Sequence, residues 1–579
     1  MMCFTRPALL LLLVLVLIPA TVSVRDYKTP FLPLVQPQIV MLADHYENGF
    51  DLTLDVLEYD GPGAKFWTRG YSGEIPGPTL VMKRGTTPKV NLINALQTPS
   101  IKSGVNTFSR PNNTNIHTHG LHVPHEEPGD DVFINVPPQS TYNYAYEIPE
   151  DHVGGTYWYH PHLHGSTALQ VGGGAHGLII VEDDPSKDGL PAKLTDGSIE
   201  EIVLVISVIP QQSDDDASLH AIEAASSPAS SNTVTTTAGP STLVLVNGQN
   251  KPTITLTAAK WYRLRTVLAS VLHFGNFFVE GCELAVLAKD GVYLLNGPRA
   301  TEFLFLVSGN RVDALIKCPS ALVGNDSVVL ESKSGAGIQG DEDDDGATNI
   351  GNMIIAKINV VAGDGGSDDP LSTLDFIPNL PSYLRDLRSV SVHGRKEIGI
   401  DDGPGGCNIN GNSWDGPSNP MFSVYASTYE DIAVEADEHP LHVHINPLQV
   451  QDNINAWYRS GDWHDVVLAN GNFRMHVADH KGTVVTHCHW LNHEDRGCMG
   501  TFEILDCPED DIAAGNVGNC STFIYFGFTL TQIGFMVGGV VVVVLVAGVV
   551  FCFFKKKKKE KTFIGIGGES NDEDDCEMT

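Results

Sequence analysis

Short stretches in which apolar and polar side chains alternate recur through most of the chain, with Gly and Pro between them. Tyr142, Tyr144, Tyr146 and Ile148 alternate with Thr141, Asn143, Ala145 and Glu147, which predicts a strand with one buried face. Tyr262-Arg263-Leu264-Arg265 alternates in the same way. Leu178–Val181, Val203–Ile209 and Phe303–Val307 are instead unbroken apolar runs of strand length, as expected for strands buried on both faces. Helical periodicity is scarce before the C-terminal region. The pattern is all-β: many short strands separated by turns, hence sandwiches or barrels.

Shifts in composition divide this pattern into three units. Glu182–Pro191 is acidic and turn-rich, and Gly363–Pro370 is rich in Gly, Ser and Asp. Boundaries there give domains at 25–187, 188–366 and 367–507, each a reasonable size for one sandwich. Gln211–Ser241, rich in Ser, Ala, Thr and Asp, and the acidic Gly340–Gly346 read as surface loops.

The two ends predict a location. Arg6 precedes an apolar run from Ala8 to Ile18 and then small and polar residues, the signature of a secretory signal peptide over 1–24. A stretch at 508–532 reads as a stalk. Ile533–Phe554 is almost uncharged and is followed at once by Lys555–Lys559. At about 1.5 Å per residue it is long enough to span a hydrocarbon core of about 30 Å. The lysines place the tail, 555–579, on the cytoplasmic side. A single-pass type I membrane protein is expected, at the plasma membrane by default, with its three domains outside. The net charge of −34 argues against nucleic acid as a partner, because phosphate binding needs basic surface.

In that topology Cys3, Cys552 and Cys576 lie outside the secreted part. Setting Cys488 aside leaves Cys282, Cys318, Cys407, Cys498, Cys507 and Cys520, an even number in an oxidising compartment. Of the possible pairings, Cys282–Cys318 and Cys507–Cys520 are favoured. Asn-x-Ser/Thr sequons at Asn112, Asn325 and Asn519 suit an extracellular chain.

The chemistry concentrates in histidines spaced two apart. His117/His119, His160/His162, His442/His444 and His487/His489 each place two imidazoles on one face of an extended segment, since alternate side chains point the same way. Cys488, between the last two, faces the opposite way. A thiolate and two imidazoles on adjacent residues can therefore serve two different metal sites.

With Asn115–Gly120, Tyr157–His162, His439–His444 and Thr486–His493 in this order, the chain resembles a multicopper oxidase of the three-domain, laccase-like group. Gln170–Gly177, Val246–Gln249, Arg263–Arg265 and Trp463–Asp465 also resemble that family, so the likeness covers roughly Asp51 to Asp506. It implies three consecutive cupredoxin-like Greek-key sandwiches and four coppers: one type 1, one type 2 and a type 3 pair. Carried over residue by residue, His439, Cys488 and His493 match the type 1 ligands. His117 and His442 match the type 2 ligands, and His119, His160, His162, His444, His487 and His489 the type 3 ligands. A Cys-His-His set suits copper, whereas imidazole alone also suits zinc or iron. The implied reaction passes electrons one at a time from Cys488 through His487 and His489, and reduces dioxygen to water with four of them. Asp130 and Glu494 resemble the acids that supply protons there.

One departure stands out. Where the family has Met, Leu or Phe ten residues after the copper cysteine, this chain has Cys498, followed by Met499. Either Met499 takes the axial position, or Cys498 sits there as a thiol or bonded to a cysteine such as Cys407.

The reducing substrate stays open between classes. Glu435, Asp437 and Glu438, just before His439, suit docking of Fe(II), and the membrane anchor resembles surface ferroxidases that work with an iron permease. A phenol or aromatic amine meeting the His439 or His493 ring is the alternative. Cu(I) is a third, without a Met-rich insert to collect it. A copper-binding surface protein without turnover is the reading from another class.

Overall fold

The computed structural model describes residues 31–506, apart from 62–63, 98–105, 211–241, 339–347, 364–368, 404–405, 437 and 479. The expected signal peptide, the expected surface loop at Gln211–Ser241, and the expected stalk, span at Ile533–Phe554, tail and Cys507–Cys520 pairing lie outside the described residues. No helix among the described residues is long and apolar enough to cross a membrane.

Among the described residues six sheets pair into three sandwiches. The first stacks a five-stranded sheet on a four-stranded one, the second a seven-stranded on a six-stranded, and the third a six-stranded on a five-stranded. Helices are single turns or little more, such as Thr167–Gly172 and Leu491–Asp495. The unbroken apolar runs fall in the strands Gly177–Val181, Glu200–Pro210 and Leu304–Val307, and their side chains are buried on both faces almost throughout.

Tyr262–Ala269 departs from the half-buried strand its alternation suggests. Both faces are buried, and Arg263 and Arg265 are fully enclosed. The cost of burying two guanidiniums is offset by Asp183, Glu201 and Asp313, which pair with both, and by the Tyr293 hydroxyl, which meets Arg263. Charge alternation marked the strand but could not show that its polar face meets another domain.

The ends of the domains are shared. Near the N-terminus, Leu34 N–H donates to Thr253 O (2.8 Å) and the Gln36 side chain accepts from Val203 N–H (2.7 Å). Residues 31–36 thus dress the second sandwich before the chain enters the first. The linker after the second sandwich contributes Leu374, Phe376, Tyr383, Leu384 and Leu387 to an apolar cluster with Val153, Leu287 and Trp463, joining all three units.

Cys282 and Cys318 form a disulfide, as expected. Asn112 does not suit glycosylation: it is 2% exposed, its Oδ1 accepts from Arg69 and its Nδ2 donates to Gln97 O. Asn325 is exposed.

His152 gives a test of the inter-domain packing. Its Nε2 accepts from His122 N–H (3.0 Å) and its Nδ1–H donates to Val153 O (2.8 Å), so both nitrogens are used by the neutral ring. Burial lowers its pKa to about 4, against about 6.5 in an unfolded chain. Between those values the unfolded chain binds a proton that the folded chain does not, so stability falls as pH falls. From about pH 7.5 to about pH 5 the loss due to this one group is about 2 kcal/mol. His152→Gln in the copper-loaded protein is expected to flatten the pH dependence of urea unfolding by that amount; an unchanged slope would show that His152 does not contribute.

Candidate metal centres

Strand pairing collects the histidines. His117–His119 runs antiparallel to Gly155–His160 with His117 opposite His160, and Leu441–Val443 runs antiparallel to Gly482–Cys488 with His442 opposite His487. Residues directly opposite across an antiparallel pair share a face. His442 and His487 therefore point together into one space, while Leu441 and Cys488 point away from it.

The first and third sandwiches face each other across that space. His117 stacks on His444 (ring centroids 4.1 Å apart) and His119 on His442 (3.8 Å). His162 Nε2 lies 3.1 Å from His487 Nε2, and His119 Nδ1 lies 3.4 Å from His160 Nε2. His489 closes the ring 5.0 Å from His119. All eight are buried. Within this set His117/His442/His444, His162/His444/His487 and His117/His119/His160 each bring three nitrogens within 4.8 Å of one another.

The outer nitrogens fix which atom points inward. Nδ1–H donates to a backbone carbonyl in His160 (Pro161), His442 (Asp465) and His487 (Cys488), at 2.8–2.9 Å. His117 Nδ1 meets Asp130 Oδ2 (2.8 Å) and His489 Nδ1 meets Ser308 Oγ (3.2 Å). Each bond holds the tautomer whose Nε2 lone pair faces the cluster. The Nε2 atoms of His117, His442, His444 and His489 are buried there without a hydrogen-bond partner. Buried nitrogens left so are costly unless a metal takes the lone pair, so the residues present fit metal ions. Burial, and then the neighbouring imidazoles, hold these rings far below the usual histidine range and hence neutral.

Carboxyls stand close behind. Asp130 accepts from His117 and from Thr118 N–H (2.6 Å). Glu494 lies 3.5 Å from both His162 Nδ1 and His487 Nδ1 and accepts from Thr167 Oγ1–H. Both are buried, so neither is an ordinary surface acid. Burial lifts Asp130 to about 7, and burial together with Asp495 lifts Glu494 well above the carboxylate range. Asp495, which sequence reasoning missed, accepts from the backbone of Gly165, Thr167 and Ala168.

Among the described residues the middle sandwich gives no histidine to the cluster but grips it. Asp462, His464 and Asp465 of the third sandwich dock on Lys289 and Arg299, on Asp290, and on Arg311 respectively. Asp465 also lies 3.3 Å from His119 Nε2. Gly309, at φ +91°, packs so closely that a Cβ would come within 2.7 Å of the His489 ring. No spacing in the sequence links Ser308, Gly309 and Arg311 to histidines so far along the chain.

On the other face of the Gly482–Cys488 strand lies a second centre. His439 Nδ1 is 3.6 Å from Cys488 Sγ and 3.2 Å from His493 Nδ1. Trp490 N–H donates to Cys488 Sγ (3.4 Å). Cys498 is joined in a disulfide to Cys407, whose Sγ stands 3.9 Å from His439 Nδ1. Met499 is opposite His487 and packs with Val132 and Val485, on the far side of the strand from Cys488. Of the acids before His439, Glu435 is exposed and Glu438 half-buried, while Asp437 lies outside the described residues.

Three family models described as multicopper oxidase match residues 58–186, 215–343 and 387–506. A laccase of Bacillus subtilis (strain 168) is 24% identical over 504 residues, 80% of this chain and 94% of that protein. A multicopper oxidase of Staphylococcus haemolyticus is 23% identical, covering 76% and 84%. Among solved structures, a metallo-oxidase from Campylobacter jejuni superposes with a TM-score of 0.57 at 22% identity, covering 83% of this chain and 95% of that one. The McoA multicopper oxidase of Aquifex aeolicus gives 0.61 at 20% identity, with 82% and 100% covered.

Proposed function

The chain belongs to the multicopper oxidase family and is a copper-dependent oxidase that uses oxygen, and we propose that its reductant is a metal ion, Fe(II), oxidised at the cell surface. Its three sandwiches are cupredoxin-like, and the family's four coppers fit the groups of His and Cys side chains. In this reading His439, Cys488 and His493 hold the type 1 copper, His117 and His442 the type 2, and the other six cluster histidines the type 3 pair. Copper bound at the two centres would accept electrons singly beside Cys488 and deliver four to dioxygen among the histidines.

The protein's own groups do the rest. The Nδ1 partners hold His117, His160, His442, His487 and His489 in the tautomer that leaves Nε2 to the cluster, and Asp130 and Glu494 stand within reach of the cluster as proton carriers. The rings of the first and third sandwiches are buried between the two units.

The observation that favours a metal ion over an organic ring is the burial of the mononuclear centre. His439 is 4% exposed and His493 2%, which leaves little imidazole edge for a phenol to meet. An ion needs only hard oxygen ligands near the surface and a short path inward. Glu435 lies exposed in a polar depression with Arg395, Asp401, Asn470 and Asn472. Glu438 O accepts from Trp490 Nε1–H (3.1 Å), and Trp490 is two residues from Cys488. The description of the Campylobacter jejuni relative as a metallo-oxidase accords with this; the Bacillus subtilis laccase keeps the phenol reading as the second one. The uncharged stretch before Lys555–Lys559 supports a single-pass anchor, and with it a place beside a membrane iron carrier.

Oxygen consumption by the full chain with Fe(II), Cu(I) and a phenol is the test. Replacing Glu435, Asp437 and Glu438 together by Ala is expected to lower kcat/KM for Fe(II) about tenfold, or about 1.4 kcal/mol, with the phenol rate unchanged. Equal losses for all three reductants, or none, would remove the iron reading.

A further inference from the structure

The Cys407–Cys498 disulfide sits where it can do more than staple two strands. Cys407, from the strand Gly406–Ile409, belongs to the third sandwich's other sheet, 91 residues from its partner. Its sulfur, the two imidazoles of His439 and His493, and the Cys488 sulfur offer four ligand atoms that all lie within 4.8 Å of one another. Cys407 is 3% exposed and Cys498 and Cys488 are fully buried. Cys488 N–H also donates to Cys498 O (3.0 Å), so the disulfide is tied to the ligand strand itself. Met499, turned to the opposite face, cannot fill that side.

We propose that Cys407 is the fourth member of the mononuclear centre and that its disulfide with Cys498 decides which metal the centre accepts. In the disulfide, Cys407 sulfur is uncharged and a weak donor, leaving a trigonal Cys-His-His set with a soft fourth side, which suits copper. A dithiol reductant would break the S–S bond, delivering two electrons and two protons to give two thiols and leaving as its own disulfide. Cys407, losing its proton on ligation, would then complete a Cys₂His₂ set, which is the tetrahedral zinc arrangement. The bond thus keeps a zinc-type ligand set out of a copper protein.

This inference rests on the mononuclear reading of His439, Cys488 and His493, and Co(II), a spectroscopic stand-in for Zn(II), separates the two. Cys498→Ser leaves Cys407 as a thiol, whereas Cys407→Ser with Cys498→Ser removes both. In metal-free full chain titrated with Co(II), the single variant should show about twice the thiolate-to-cobalt absorption of the double variant, with the intense visible bands of a tetrahedral site. Equal absorption in the two would overturn the role of Cys407. No thiolate absorption in either would overturn the reading of Cys488, and this proposal with it. Should neither variant fold, a crystal structure of the copper-loaded unaltered protein decides. Cys407 Sγ as the nearest atom on the fourth side of the mononuclear copper supports the proposal, and any other side chain there ends it.

Discussion

Cys488→Ser is expected to erase the strong visible Cu(II)–thiolate absorption and to lower oxygen consumption with every reductant. The loss should exceed the roughly 10- to 100-fold typical of an outer-shell partner. The reason lies in the register of one strand. Cys488 and its neighbours His487 and His489 face opposite ways, so this one residue makes the shortest covalent connection between the two centres. Serine preserves the volume and the hydrogen bond from Trp490 but is a poor soft ligand. Because His442 stays opposite His487, the eight-histidine cluster should keep its copper. Loss of the visible band with retention of the other coppers, counted by metal analysis and electron paramagnetic resonance, is the specific outcome. A variant that keeps the absorption would show that the thiolate ligand is another cysteine.

Arg311→Gln carries the largest expected effect on stability. The guanidinium donates twice to Asp465 (2.6 and 2.7 Å) and also reaches Gly309 O and Thr156 O, and it is 1% exposed. Burial works against its charge, but Asp465 more than compensates and holds it protonated, while burial raises Asp465 itself to about 7. Removing one partner of such a pair leaves the other charge buried and costs about 3–5 kcal/mol. For a chain of three domains the measurable quantity is the rate of thermal inactivation, expected to rise at least about tenfold. Arg311→Gln with Asp465→Asn should recover part of that loss, since two amides leave no orphaned charge. If the single variant inactivates no faster than the unaltered protein, the grip of the middle sandwich is not what holds the cluster together.

The ligand strands were legible because their chemistry is local. A His-x-His in an extended segment states its own geometry, and four of them state a cluster. The continuous apolar runs were legible for the same reason, each carrying its burial on both faces within a few residues. What stayed hidden depends on partners far along the chain. Arg263 and Arg265 alternate like a solvated face, and only Asp183, Glu201 and Asp313 make that face an interior one. Cys407 follows a Gly-rich stretch whose sequence gives no sign of the mononuclear centre, so the sequence alone leaves Cys498 open among several states. Asn112 carries a valid sequon, yet the Arg69 side chain that occupies its amide is 43 residues away.

The distance along the chain between His162 and His487, 325 residues, has a consequence for how the protein is made. The first sandwich leaves the ribosome carrying half of the cluster's eight histidines, and the other half follows only after the middle sandwich has been synthesised. Contacts of such separation form late and slowly. Until then His117, His119, His160 and His162 lack the imidazoles of the third sandwich, and any metal that reaches them does so with less than the full ligand set. Correct loading is therefore an event of the finished chain. Copper supplied after synthesis, and withheld during it, should give the larger yield of active protein.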